Sequence, residues 1–242
     1  MRSPWKGEKW MYLLAFETSA KSASVAILQD GFLLGEYYQN SGQTHSRTLM
    51  KMAQDLIENC DLSPKDIGAV ACAIGPGSFT GVRIGLAAAK GFAWGCEIPL
   101  IGVSTLEAMA KGVAVADGVY CSVMDARRNQ VYTALFEQKD GKFNRLTEDD
   151  AISLEDLAKS LENIENHKFL VGDGASLCYN TISNIELHMM PEHLRMQRAA
   201  GVAVLAYEQL QKGNIPDAQS VTPNYLRLSQ AERERLKKAE TE

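Results

Sequence analysis

Apolar residues in this chain gather into short unbroken runs and into helical stripes, and the two kinds alternate in a repeating order. Tyr12–Phe16 is such a run and reads as a buried strand. Ala23–Leu28 reads as a second, and Asp30-Gly31 supplies the tight turn of a hairpin into a third, Phe32–Tyr38. After the polar loop Asn40–Gln43, Thr44 stands where a helix N-cap belongs. The apolar positions Leu49, Met52, Ala53, Leu56, Ile57 and Cys60 then recur at helical spacing. Ser63-Pro64 interrupts the chain. Ile67–Ile74 is the next buried strand, Val82–Cys96 the next helix, and Pro99–Val103 a short strand. Ser104 with Glu107 predicts a capping box that opens a further helix.

The second half follows the same plan loosely. Val119–Met124 and Val131–Phe136 are strands around the polar turn Asp125–Asn129, with a short third strand near Phe143. Ser153 caps a helix Leu154–Leu161. Phe169–Val171 is a strand that ends in Gly172-Asp173-Gly174, and helices follow at Ala175–Thr181 and Arg198–Lys212. Each half therefore runs strand, turn beginning with an acid, strand, helix, strand ending in glycine, helix. That order predicts an α/β fold with two similar lobes facing a cleft, residues 11–103 and 104–197. Residues 198–227 form a closing helix and segment that return toward the first lobe. Residues 1–10 read as a disordered extension and 228–242 as a charged tail.

Composition narrows the function classes. The chain has 242 residues, of which 45% are hydrophobic and 23% charged, enough apolar content for a real core in one large unit or two small ones. Net charge is -5, so the totals show no basic face of the kind expected in a protein that grips nucleic acid alone. No apolar run reaches the roughly 20 residues that cross a bilayer. The opening MRSPWKGEKWMYLLAFE does not read as a signal peptide, and Met11 is a candidate start. Cys60, Cys72, Cys96, Cys121 and Cys178 show no C-x-x-C spacing, and Cys72 alternates with apolar neighbours as a buried small hydrophobe. A reduced, cytoplasmic protein is expected.

The most distinctive stretch is AIGPGSFTGVRIGLAAAKG, Ala73–Gly91. Gly75 and Gly77 permit dihedrals closed to other residues, and Ser78 or Thr80 can cap the following helix. Such a loop can cradle a phosphate at the helix N-terminus. The helix itself carries Gly81, Gly85, Gly91 and Gly95, each costing roughly 1 kcal/mol against alanine. Gly81, Gly85, Ala88, Phe92 and Gly95 share one face, a smooth ridge for this protein's own sheet or for a second chain.

Together with ETSAKSASVAI (17–27), DARRNQVY (125–132) and PNYLR (223–227), this stretch resembles the TsaB (YeaZ) family from about residue 11 to 227. The resemblance implies the actin-like fold shared by acetate kinase and chaperone ATPases. It implies an accessory, non-catalytic role in forming the threonylcarbamoyl group on tRNA adenosine. The implied partners are a TsaD-like catalytic subunit and a TsaE-like ATPase, with tRNA reached indirectly and ATP or ADP bound only within the complex. In the family the lobes pair through two neighbouring helices. Here that face would comprise Arg47, Leu49, Met50, Ala53, Leu56, Gly81, Arg83, Gly85, Ala88 and Phe92, and the same face would serve self-pairing.

Candidate chemistry is thin beside this. Thr18, Ser19, Gly75, Gly77 and Ser78 are the candidate phosphate contacts. TsaD-like sequences resemble ETSCDET at the first turn, whereas Lys21 and Ser22 stand here in place of its acids, and a lysine cannot hold Mg²⁺. TsaD-like proteins also resemble a helix with two histidines four apart; here His45 is followed by Leu49, so no metal is expected. Ser78 and Thr80 have no histidine nearby in sequence to activate them. The competing reading is an ATP-using phosphotransferase or hydrolase with Glu17, Asp125 and Asp173 as its carboxylates.

Overall fold

Three antiparallel strands open the chain: β1 (Tyr12–Glu17), β2 (Ala23–Gln29) and β3 (Phe32–Gln39). Asp30 and Gly31 join β2 to β3 with φ of 47° and 89°, the left-handed pair that a two-residue hairpin turn requires. Then come α1 (His45–Asn59), β4 (Ile67–Ala73), α2 (Phe79–Cys96) and β5 (Leu100–Val103). β4 pairs parallel with β1 and β5 parallel with β4, giving a five-stranded sheet in the order β3-β2-β1-β4-β5. The computed structural model describes residues 11–213 and 218–227; the expected extension at 1–10 and the charged tail at 228–242 lie outside them.

The second sheet repeats this layout. After α3 (Thr105–Lys111) come β6 (Gly118–Arg127), β7 (Gln130–Lys139), β8 (Lys142–Arg145) and β9 (Asp150–Ser153). There follow α4 (Leu154–Glu162), β10 (Lys168–Val171), α5 (Ala175–Thr181), β11 (His188–Met189), α6 (Glu192–Arg195) and α7 (Ala199–Gln211). The order is β8-β7-β6-β10-β11, again three antiparallel strands continued by two parallel ones, with β9 added beside β7. Strand order and polarity match the first sheet position for position.

The unbroken apolar runs are explained by cover on both faces. Leu14 and Phe16 of β1 point to the layer of α1 and α2, while Leu13 and Ala15 point to the layer of α7. β4 divides the same way, Val70 and Cys72 to one side and Ala69, Ala71 and Ala73 to the other. α7, from the end of the chain, thus roofs the first sheet. Cys72 is fully buried, and burial pushes its thiol far up.

Helix starts depart from the sequence reading for identifiable reasons. α2 begins one turn before Val82 because Ser78 is its N-cap, its side chain accepting from the Gly81 N–H at 3.2 Å. Thr44 occupies the N-cap of α1 without a side-chain bond. Ser104 caps α3, but the expected reciprocal bond is absent because the Glu107 carboxylate accepts from Arg145 Nη2 at 2.6 Å. β9, β11 and α6 are too short to leave a periodic signal.

Candidate functional site

β1 ends at Glu17, and the turn Thr18–Ser22 reverses the chain into β2. The N-terminal turn of α2 lies directly on this turn. Thr18 Oγ1 donates to the Gly81 carbonyl at 2.8 Å, and the Ser78 N–H donates to the Ser19 carbonyl at 2.6 Å. This approach dictates three glycines. A Cβ at Gly77, Gly81 or Gly85 would lie 2.5, 2.1 and 2.3 Å from atoms of Ser19 or Thr18. The ridge expected at Gly81 and Gly85 is therefore turned inward; both are buried against this protein's own turn.

Between the sheets opens a cleft of about 780 Å³. Ser19, Gly77 and Ser78 line it, with Lys21, Asp125, Arg127, Asp173, Arg195 and Arg227; Thr18 and Gly75 do not. The Ser19 N–H donates to its neighbour Glu17 Oε1 at 2.6 Å, and the Ser78 N–H is held by Ser19. Two of the amides a phosphate cradle would use are thus engaged within the chain. The Gly75 carbonyl accepts from the Thr105 N–H at 2.9 Å, and its Cα packs under the Asn224 carbonyl.

The three carboxylates do converge. Glu17 is 1% exposed, and burial, reinforced by nearby Asp173, pushes its carboxyl up to about 7. Asp173 is exposed on the cleft wall, yet the surrounding protein still desolvates its carboxyl enough to raise it, with Asp125 adding to the effect. Gln197 Nε2 donates to Asp173 at 3.0 Å, and Lys21 lies close enough to oppose the shift. Asp125 stands near the end of β6, its carboxylate accepting from the Arg127 N–H at 2.7 Å. His45 Nε2 bonds the Ala20 carbonyl at 2.8 Å, so this histidine braces the first turn. His167, just before β10, and His188, on β11, meet edge to face with ring centres 5.4 Å apart. Among the described residues no group of three or more His, Cys, Asp or Glu side chains is placed to hold a metal.

On the far side of α1 and α2 the expected docking face divides. Leu49, Ala53 and Leu56 belong to the core, at 1, 1 and 2% exposure, whereas Arg47 and Met50 are exposed. On α2, Ala88 and Phe92 are half-buried and Arg83 is exposed. The outward stripe of α2 is Arg83, Ala87, Gly91 and Trp94, with Gly95 at its border. Trp94 is 87% exposed, and nothing lies within 4 Å of a Cβ built at Gly91 or Gly95. The stripe's i, i+3/i+4 spacing was readable in the sequence. The ridge read from spacing therefore divides: Gly81 and Gly85 face the first turn, whereas Gly95 faces open space.

A protein-family model described as TsaD: tRNA N6-adenosine threonylcarbamoyltransferase matches residues 37–235. The Bacillus subtilis protein named tRNA threonylcarbamoyladenosine biosynthesis protein TsaB is 32% identical over 227 residues, 92% of this chain and 96% of its own. The chain belongs to the TsaB family. A solved Pseudomonas aeruginosa structure, described as similar to peptidase YeaZ, superposes with TM-score 0.79 at 26% identity, covering 90% of this chain and 100% of that one. The Acidaminococcus fermentans (R)-2-hydroxyglutaryl-CoA dehydratase component A superposes with TM-score 0.51 at 12% identity over 83% of this chain and 99% of its own, a likeness of fold alone. The fold is the actin-like one. The TsaB resemblance rests on residues that meet around the cleft: the first turn, the glycine loop, the β6–β7 turn and Pro223–Arg227.

Proposed function

We propose that this chain is the accessory subunit of a pair that forms the threonylcarbamoyl group on tRNA adenosine, docking a TsaD-like catalytic subunit through the outward faces of α1 and α2. The observation that carries this reading is the stripe of Arg83, Ala87, Gly91 and Trp94. It combines a bare, closely approachable helix backbone with a tryptophan that this chain leaves in water. Met50 and Arg47 of α1 extend the face; Leu49, Ala53, Leu56, Gly81 and Gly85 support it from beneath. The cleft favours a non-catalytic role. The amides of Ser19 and Ser78 are engaged internally, Ser78 serves as a helix cap, and Lys21 stands beside Asp173. Nucleotide binding then belongs to the complex, a TsaE-like ATPase joins the pair, and tRNA is engaged through the partner. Self-pairing through the same face occurs when the partner is absent.

The test is to mix the chain with the TsaD-like protein of the same organism and measure mass in solution, using Gly91→Leu as the probe variant. Leucine at this open site leaves the fold intact but bars close approach. A complex with the wild type, weakened at least about 100-fold by Gly91→Leu, is expected, since loss of a central close contact costs at least roughly 2–3 kcal/mol. An unchanged affinity removes the stripe from the interface. Turnover of ATP by the isolated chain with Mg²⁺ points instead to a phosphotransferase or hydrolase working through Glu17, Asp125 and Asp173.

A further inference from the structure

The family reading gives no role to the end of the described chain, yet residues 221–227 are fastened across the molecule. Val221 is seated in the core of the first sheet, its Cγ1 only 2.8 Å from where a Cβ at Gly102 would stand. The Asn224 N–H donates to the Ile74 carbonyl at 2.7 Å, continuing the end of β4. The Asn224 carbonyl lies 2.6 Å from where a Gly75 Cβ would be, so glycine at 75 is what lets the segment pass. Tyr225 stacks on Phe79 of α2, ring centres 4.6 Å apart, and its hydroxyl accepts from Arg83 Nε at 2.7 Å. The Arg83 guanidinium also lies 3.8 Å from the Phe79 ring centre. All of these holds are on the first lobe.

Arg227 then crosses to the second lobe. Its Nη1 donates to the Ala126 carbonyl at 2.7 Å, at the irregular end of β6 where the chain enters the β6–β7 turn. In that turn Arg127, Arg128 and Asn129 all have positive φ, 63°, 59° and 56°. Successive left-handed residues without glycine are costly unless something holds them. Arg227 supplies such a hold, and Asn224 to Arg227 at the same time wall the cleft.

From this we infer that residues 221–227 are a latch. It is permanently seated on the first lobe and hooked reversibly through Arg227 onto the β6–β7 turn, so that it sets how firmly the cleft is closed. The latch is within reach of a partner, which is where the inference rests on the proposed docking face. Arg83 is the first residue of the outward stripe of α2 and also the residue that grips Tyr225. Only its Nε is used in that grip among the described residues, leaving the terminal nitrogens free for a partner's acceptor. A docked TsaD-like subunit that engages them stiffens Arg83, tightens Tyr225 on Phe79 and closes the latch.

Hydrogen exchange of the full-length chain, alone and with the TsaD-like subunit, tests both statements. In the chain alone, Arg227→Ala is expected to speed exchange of amides 126–130 at least about five-fold while β1 and β4 keep wild-type protection. Tyr225→Ala, which removes the seat rather than the hook, should do the same. If neither variant changes the turn, there is no latch. With the subunit bound, amides 126–130 of the wild type should slow by a similar factor. In Arg83→Ala, which keeps the bare part of the docking stripe, that slowing should be lost in the fraction shown by mass to be bound. Bound complex with no slowing in the wild type, or with equal slowing in Arg83→Ala, overturns the coupling. No complex at all overturns the docking reading and with it the coupling, while the experiment on the chain alone still decides the latch.

Discussion

Glu17 shows what a single side chain concedes to its position. It ends a strand buried from Leu13 onward, and its carboxylate accepts from the N–H of Ser19. Burial raises its carboxyl from 4.5 to about 7. Above pH 7 both the folded and unfolded forms are ionised, and the folded state carries the full cost of a buried charge. Between pH 7 and 4.5 the folded state holds a proton that the unfolded state releases, so stability rises as pH falls through that window. Glu17→Gln keeps the acceptor for Ser19 and removes the charge. It should stabilise the protein at pH 8 by on the order of 2–3 kcal/mol and have little effect near pH 5. Urea unfolding of both proteins at the two pH values checks this; an equal difference at both would mean that the carboxyl titrates normally.

The helix α2 separates two demands that its sequence superimposes. Gly81 and Gly85 admit the first turn, whereas Gly91 faces open space. Gly81→Ala and Gly85→Ala should each destabilise by roughly 1–3 kcal/mol, because a methyl there must displace Thr18. Gly91→Ala should stabilise by about 0.5–1 kcal/mol, the ordinary helix preference. Thermal unfolding of the three variants gives opposite signs if the faces are assigned correctly. A loss of stability in Gly91→Ala would place that residue against the protein's own structure.

Across the whole molecule, the end of the chain holds the beginning in place. α7 covers the first sheet, and at its start Arg198 reaches β3, donating to Glu36 Oε2 from Nε at 3.0 Å and from Nη2 at 2.6 Å. Ser24 and the Ala200 N–H also donate to Glu36, whose side chain is 6% exposed, so this carboxylate is satisfied only when residues far apart in sequence assemble. Arg198→Ala should cost about 2 kcal/mol, less than for a fully buried pair because the arginine is partly exposed. Truncating both residues should cost less than the sum of the single changes, as a double-mutant cycle by denaturant unfolding would show. Additive effects would mean that the two groups stabilise the fold independently.

How much of this was legible beforehand follows from range. Strands buried on both faces show as unbroken apolar runs, Asp30-Gly31 marks its hairpin, and Ser153 and Ser104 mark their helices, because each signal lies within a few residues of its effect. These local rules, repeated in both halves, marked the longer elements and the doubled layout but not β9, β11 or α6. They could not say which helix face turns inward. Gly81 and Gly91 are the same residue type in the same helix, and only the arrival of Thr18, 63 positions before Gly81, tells them apart. The gathering of Glu17 with Asp173, the Arg198–Glu36 pair and the crossing of Arg227 to Ala126 depend likewise on where the second sheet comes to rest against the first. Periodicity records which residues avoid water; only the assembled chain decides what each of them meets.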